Sequence, residues 1–213
     1  MPLVELPLPR SNTDLPRDIR MFLRSADRRI EDFQHSICIP AFVPSDFPRV
    51  YDVLQSIAAE SLAPGQRICE WGSGFGVVAG LAAMLGFEAW GIEIESKLVD
   101  AARKLCGDFD VPAEFVHGSF IPRGGDDLVE AGGPSAWLTP ESDDSYEEIG
   151  LDPDDFDVVF TYPWPHEEEV VFRLFERFTA PGAILVTFHG ADDIRLRRKT
   201  SRTKKRSRRK NHG

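Results

Sequence analysis

Three glycines alternate with other residues directly after an apolar run, in Ile68-Cys69-Glu70-Trp71-Gly72-Ser73-Gly74-Phe75-Gly76. Glycine in such a pattern permits the left-handed backbone of a tight turn and lets a ligand press against the main chain. The flanking residues read as a strand entering the turn and a helix leaving it, so unbonded helix N–H groups gather at the same place. An acid, Glu70, stands near the end of that strand. A second apolar run, Trp90-Gly91-Ile92-Glu93-Ile94-Glu95, brings another acid about 20 residues beyond the glycines, where a carboxylate can accept both hydroxyls of a ribose. Glu93 is the first candidate for that contact and Glu95 the second. Together these residues point to a nucleoside-containing cofactor.

The spacing narrows the choice. A P-loop needs a lysine after its glycines, and none is present. The strict dinucleotide pattern G-x-G-x-x-G fails at Val77, while Gly74, Gly76 and Ala79 satisfy the looser form ending in alanine. A nicotinamide-dependent oxidoreductase is therefore one reading. A non-catalytic module that keeps a cofactor fold and works through its basic C-terminus is another. Two further strand ends carry polar or aromatic groups. The third candidate strand ends His117-Gly118-Ser119-Phe120, with His117 expected as an ordinary strand-end residue. The fourth runs into Thr161-Tyr162-Pro163-Trp164-Pro165-His166, a stiff aromatic and proline rim. Glu167, Glu168 and Glu169 follow at the start of a helix, where the helix dipole favours acids.

The E-x-G-x-G-x-G turn resembles the first motif of the class I S-adenosylmethionine-dependent methyltransferases, which Glu70, Gly72, Gly74 and Gly76 match in full. The resemblance spans roughly residues 45–190. It implies a Rossmann-like domain that binds S-adenosyl-L-methionine through Glu70, Gly72, Ser73, Gly74, Gly76, Glu93, Ser119 and Phe120, and passes a methyl group to an acceptor. The family usually has Gly-Asp at the third strand end. Here Ser119 replaces the acid, so its hydroxyl or the Phe120 N–H would meet the adenine amino group. Amino-methylating members often carry Asn/Asp/Ser-Pro-Pro-aromatic at the fourth strand end. In this chain only Pro163 and Trp164 agree with that pattern. Tyr162, Trp164 and His166 are the candidate catalytic residues. The aromatic faces suit a sulfonium or a cationic acceptor, and His166 suits a proton. Phe42-Val43-Pro44-Ser45 is similar to a segment ahead of the first motif in small protein-lysine methyltransferases of the ATP synthase c-subunit type, which implies a protein lysine or another amine as acceptor.

These residues must be positioned by alternating strands and helices. Strands are expected at Arg67–Trp71, Glu88–Ile94, Ala113–His117, Phe156–Thr161 and Ala183–Phe188, and helices at Gly76–Leu85, Lys97–Leu105 and Glu167–Phe178. That order predicts an α/β fold, a doubly wound, mostly parallel sheet with right-handed crossovers. Apolar residues at helical spacing between 17 and 37 predict an N-terminal amphipathic helix. Residues 1–16, with four prolines, are expected to lack regular structure. Ser45 reads as the N-cap of a helix with Pro48 in its first turn. Residues 122–155 read as a surface loop with a short helix near Asp126–Glu130. The sheet is expected to stop after its fifth strand, its edge covered by the N-terminal helix or by a partner. The divisions are 1–44 as an N-terminal extension, 45–194 as the cofactor-binding domain and 195–213 as a disordered basic tail.

At 213 residues and 42% apolar, the chain suits one domain with a sizeable core. Three cysteines in no metal-type pairing argue against a disulfide scaffold or a zinc site. No run approaches a membrane span, and the start lacks a basic-then-apolar leader. The expected setting is soluble, reducing and cytoplasmic. The net charge of −10 hides two opposed parts: residues 195–213 hold 11 Lys/Arg and no acid, which leaves −21 on the rest. The body should repel polyanions. The tail is open to contact with nucleic acid or ribosomes, to anionic lipid, to folding back on the acidic 141–157 run, or to remaining solvated.

Overall fold

The continuous apolar runs and the helical segments between them assemble one sheet, described in a computed structural model for residues 3–8, 14–37, 39, 42–133, 138–139, 145–190 and 193–201. The described strands are β1 (Leu3–Leu6), β2 (Arg67–Trp71), β3 (Glu88–Glu93), β4 (Ala113–His117), β5 (Val158–Thr161), β6 (Ile184–Phe188) and β7 (Ile194–Lys199). They form one seven-stranded sheet in the order β1-β7-β6-β5-β2-β3-β4. Strands β2 to β6 are mutually parallel, with β7 antiparallel to β6 and β1 antiparallel to β7. The chain starts the parallel part at β2, runs outward through β3 to β4, and then returns to place β5 on the other side of β2. The order therefore reverses between β2 and β5. Crevices open at such a reversal because the two flanking connections leave on opposite faces.

Helices α1 (Arg17–Ser36), α2 (Phe47–Ala59), α3 (Val77–Met84) and α4 (Ser96–Gly107) cover one face. Their core includes Phe22, Leu54, Leu81 and Leu105 against Ile68, Phe160 and Val186. The other face carries α5 (Asp126–Ala131), α6 (Ser145–Ile149) and α7 (Glu168–Phe178), with Leu174 and Phe175 packed against Trp71, Val159 and Leu185. Adjacent residues of one strand thus enter opposite cores, as the pleat requires. α1 packs directly on α3: a Cβ at Gly80 would come 2.6 Å from the Phe22 ring.

Several expectations need correction. Residues 195–199 are not a tail but most of β7. Ile194 and Leu196 enter the α1–α4 core, Arg197 lays its guanidinium 4.4 Å from the Phe172 ring centroid, and the buried Lys199 donates from Nζ to the Thr179 carbonyl. The sheet therefore continues past its fifth parallel strand. Its outermost strand on that side is β1, drawn from the segment expected to be irregular, and not a helix. The helix after Phe42 is capped by Asp46 rather than Ser45, with Asp46 Oδ1 accepting from Arg49 N at 3.0 Å. The acidic stretch is partly ordered as α6 and a 3₁₀ turn at Pro153–Asp155. Residues 140–144 and 202–213, on which the fold-back, nucleic-acid and ribosome expectations rest, lie outside the described residues. Among the described residues, no helix is long and apolar enough to cross a membrane.

Candidate functional site

β2 delivers Glu70 and Trp71 to the carboxyl edge of the sheet, where the chain turns through Gly72, Gly74 and Gly76 with φ of 72°, 52° and 66°. These left-handed values are strained for residues with a side chain and favour glycine. Each glycine has its own reason. A Cβ on Gly76 would overlap the Phe115 ring and lie 2.8 Å from Ala102 Cβ; one on Gly74 would lie 2.8 Å from Phe42 Cε2. A Cβ on Gly72 would meet nothing within 4 Å. Packing thus fixes Gly74 and Gly76, while Gly72 borders open space. Gly91, on β3, is a further required glycine: a Cβ there would lie 2.7 Å from both Phe115 and Ser73.

The amides of this turn are largely committed within the protein. Gly72 and Ser73 donate to the Ile92 carbonyl at 2.9 and 3.0 Å, and Gly76 donates to the Ser73 carbonyl at 2.7 Å. Gly74 donates to Glu93 Oε2 at 2.8 Å, and Glu95 N donates to Glu93 Oε1 at 3.0 Å. Both Glu93 oxygens are thereby fixed at the end of β3, with lone pairs left over for hydroxyl donors. Burial raises the Glu93 carboxyl above its ordinary value, opposed by these backbone bonds. Glu70 does different work. α3 starts at Gly76, which has no side chain to cap it, and Glu70 Oε2 accepts the Ala79 N–H at 2.8 Å in place of a cap. Burial lifts its carboxyl well above the usual range, the Ala79 bond opposing. Glu70 therefore builds the turn as well as bordering the cleft.

The cleft beyond the turn has a volume of about 600 Å³. Ser73 lines it with a buried Oγ that has no hydrogen-bond partner. Ser119 and Phe120 also line it. Ser119 Oγ accepts from Ile121 N at 3.2 Å, and the Phe120 ring stacks on Trp71 at 5.2 Å and 7°. Tyr146 of α6 donates to the Phe120 carbonyl at 2.8 Å, so the acidic segment braces this wall. Phe42 closes the opposite side, stacked on Phe75 at 5.6 Å. Glu95 borders the cleft but is exposed.

The rim after β5 divides the expected catalytic residues. Tyr162 and Trp164 line the cleft, with the Tyr162 ring edge-on to Phe188 at 4.8 Å. His166 does not: it is exposed, with a left-handed φ of 80°, and it is absent from the cleft wall. The histidine that does line the cleft is His189, just after β6. Its Nδ1 lies 3.1 Å from Glu168 Oε1 and its Nε2 2.8 Å from Thr187 Oγ1. Sequence reasoning missed it, although the alternation Thr187-Phe188-His189 at a parallel strand's carboxyl end was a readable signal. His117 ends β4 and hydrogen-bonds to the Ile94 carbonyl at 2.9 Å, as a strand-end residue would.

No family model matches the chain, and no curated protein matches it either. Its architecture does match solved structures. An RNA methyltransferase from Salinibacter ruber, in complex with S-adenosyl-L-homocysteine, superposes with a TM-score of 0.50 at 21% identity, covering 74% of this chain and 93% of that one. An O-methyltransferase from Bacillus cereus, also with S-adenosylhomocysteine, gives 0.51 at 17% identity over 82% and 67%. The fold is that of the S-adenosylmethionine-dependent methyltransferases. A methyltransferase from Geobacter sulfurreducens agrees over 88% of this chain and 92% of its own, with a TM-score of 0.51 and 14% identity.

Proposed function

We propose that the chain is an S-adenosylmethionine-dependent methyltransferase. One observation carries the reading: at the point where strand order reverses, Gly72 faces open space in a left-handed turn beside a tethered, buried carboxylate, Glu93. The residues fit the cofactor. Glu93 offers acceptor lone pairs to ribose hydroxyls, the unpartnered Ser73 hydroxyl offers a polar contact, and the stacked Phe120 and Trp71 rings offer an apolar wall for adenine. Gly72 lets the ligand lie against the main chain, while Gly74 and Gly76 serve the packing that shapes the turn. When bound, the cofactor supplies an activated methyl group that carries its own leaving group. What remains for the protein is orientation of the acceptor and exclusion of water. Tyr162, Pro163 and Trp164 form the stiff side of that acceptor chamber, and Phe42 and Pro44 of the N-terminal segment form the other.

The finer reading is an amine acceptor, a protein lysine among the candidates. The polarity of the wall supports an amine: Glu95, Glu167 and Glu168 line the cleft beside the buried carboxyls of Glu70 and Glu93, and no described lining residue is a lysine or arginine. The same wall, on a folded body that carries −17 once the four basic residues of β7 are counted in it, is unfavourable for a polyanionic acceptor. Calorimetry on the full chain tests the cofactor. S-adenosylhomocysteine should bind with a Kd of about 1–100 μM, an affinity in the ordinary range for a small-molecule cofactor, and NAD should not. Binding of NAD alone would transfer the site to nicotinamide chemistry.

A further inference from the structure

One corner of the cleft, taken with the methyltransferase reading above, identifies how the acceptor is held. Three elements meet there: the rim after β5 brings Tyr162 and Trp164, the start of α7 brings Glu167 and Glu168, and the end of β6 brings His189. The His189 side chain is only 7% exposed. With Thr187 Oγ1 at 2.8 Å from Nε2 and Glu168 Oε1 at 3.1 Å from Nδ1, both ring nitrogens are engaged and the ring cannot turn without losing a bond. The arrangement that satisfies all three groups has the Thr187 hydroxyl donating to Nε2 and Nδ1–H donating to Glu168. Thr187 itself is fully buried, so this chain anchors Glu168 to the sheet.

Glu168 keeps its second oxygen and about a third of its side-chain surface open, 38% exposed. The nearby cation, Arg195, comes only to 3.9 Å from Glu168 Oε2, while donating two bonds to Asp193 at 3.3 and 2.7 Å. That contact is solvent-screened and the Arg195 hydrogen bonds go to Asp193, so an ammonium group on the cleft side of Glu168 competes with a weak partner. The helix dipole explains an acid at the start of α7, but not a buried histidine tied to it, nor a cleft wall otherwise free of positive charge. Ser73 in the same cleft has a buried hydroxyl without a partner, as expected of a cavity that a ligand completes.

We propose that Glu168 seats the ammonium group of an amine acceptor and accepts one N–H proton from it, leaving the neutral nitrogen with the lone pair that methyl transfer requires, that Tyr162 and Trp164 flank the cation with their π faces, and that His189 is a positioning residue holding the carboxylate in line. Aromatic faces within about 6 Å of a cation add attraction without selecting its exact shape, so the selection is for positive charge on an alkyl or benzylic amine. The proposal rests on the methyltransferase reading for its use, but its recognition chemistry stands apart and is measured apart.

The probe is benzylamine, with benzyl alcohol and benzoate as uncharged and anionic counterparts. Binding to the full chain is read by calorimetry and tryptophan fluorescence at neutral pH, with and without saturating S-adenosylhomocysteine. Benzylamine should bind at least about tenfold more tightly than benzyl alcohol, as expected for a charge-assisted contact, and benzoate should not bind. Glu168→Gln should bring the amine to parity with the alcohol while S-adenosylhomocysteine affinity stays the same. His189→Ala should weaken benzylamine about fivefold, and His189→Asn, which can still donate to Glu168, should recover most of that loss. Equal binding of the alcohol, or an amine preference that survives Glu168→Gln, overturns the proposal. Failure of S-adenosylhomocysteine to bind, with the amine preference intact, overturns the cofactor reading instead.

Discussion

At Gly76 a side chain would collide with Phe115 and Ala102, whereas at Gly72 it would project into the cleft. The two positions therefore separate stability from binding. Gly76→Ala combines left-handed strain with a clash inside the core and should destabilise by about 3 kcal/mol or more. Gly72→Ala carries the backbone strain alone, about 1 kcal/mol, and should chiefly reduce S-adenosylhomocysteine affinity. Urea denaturation and calorimetry on both variants read the contrast. Glu70 allows a second test. Burial raises its carboxyl in the folded protein above the usual 4.5, so the native state holds this proton more tightly than the unfolded chain. Its contribution is complete below the unfolded value and is lost as pH rises through the raised folded one. Glu70→Gln keeps a carbonyl for the Ala79 N–H and cannot ionise. Its stability relative to wild type should rise as pH is taken upward from the ordinary carboxylate value, read from denaturation midpoints; a flat difference would show that Glu70 stays ionised. Glu70 and the glycines were legible because the turn is local in sequence, and Glu93, 19 residues from Gly74, because it ends the next strand at the spacing of a ribose acid. The His189 pairing was not, because neither His189 nor Glu168 stands in such a pattern and the contact forms only when the start of α7 meets the end of β6.

The five parallel strands and the helices between them were readable from alternation, since each buries a continuous apolar run. β7 was not. In Ile194-Arg195-Leu196-Arg197-Arg198-Lys199 four of six side chains are basic, and the run resembles a solvated tail. The structure absorbs those side chains: the Arg197 guanidinium lies over the Phe172 ring, and Lys199, 1% exposed, gives its ammonium to the Thr179 carbonyl. The helix cap moved one residue, from Ser45 to Asp46, because both types suit the position and only the geometry decides. A chain ending at Asp193 would leave the whole edge of β6 unpaired and uncover Val186 and Phe188. It should aggregate or fail to fold. A chain ending at Ser201 keeps every described strand and should melt cooperatively, as read by circular dichroism and size-exclusion chromatography.

Charge is the property of the whole molecule that bears most on its acceptor. The acidic body and the basic C-terminal residues should behave independently towards polyanions. The chain ending at Ser201 should show no binding to poly(U) in filter assays at 0.15 M salt, a standard condition for screening weak surface charge. Salt-insensitive RNA affinity in that shortened chain would place a polyanion site on the body and count against an amine acceptor.

Leu3 pairs with Lys199 across the outer strands of the sheet. During synthesis the amino-terminal strand must therefore wait for its partner while nearly the whole domain is made, roughly ten to forty seconds at ordinary translation rates. Folding closes last at this seam. Joining residues 3 and 199 through a short linker and reopening the chain in a surface loop should give a circular permutant in which the two pairing strands emerge together, removing the delay without altering the cleft.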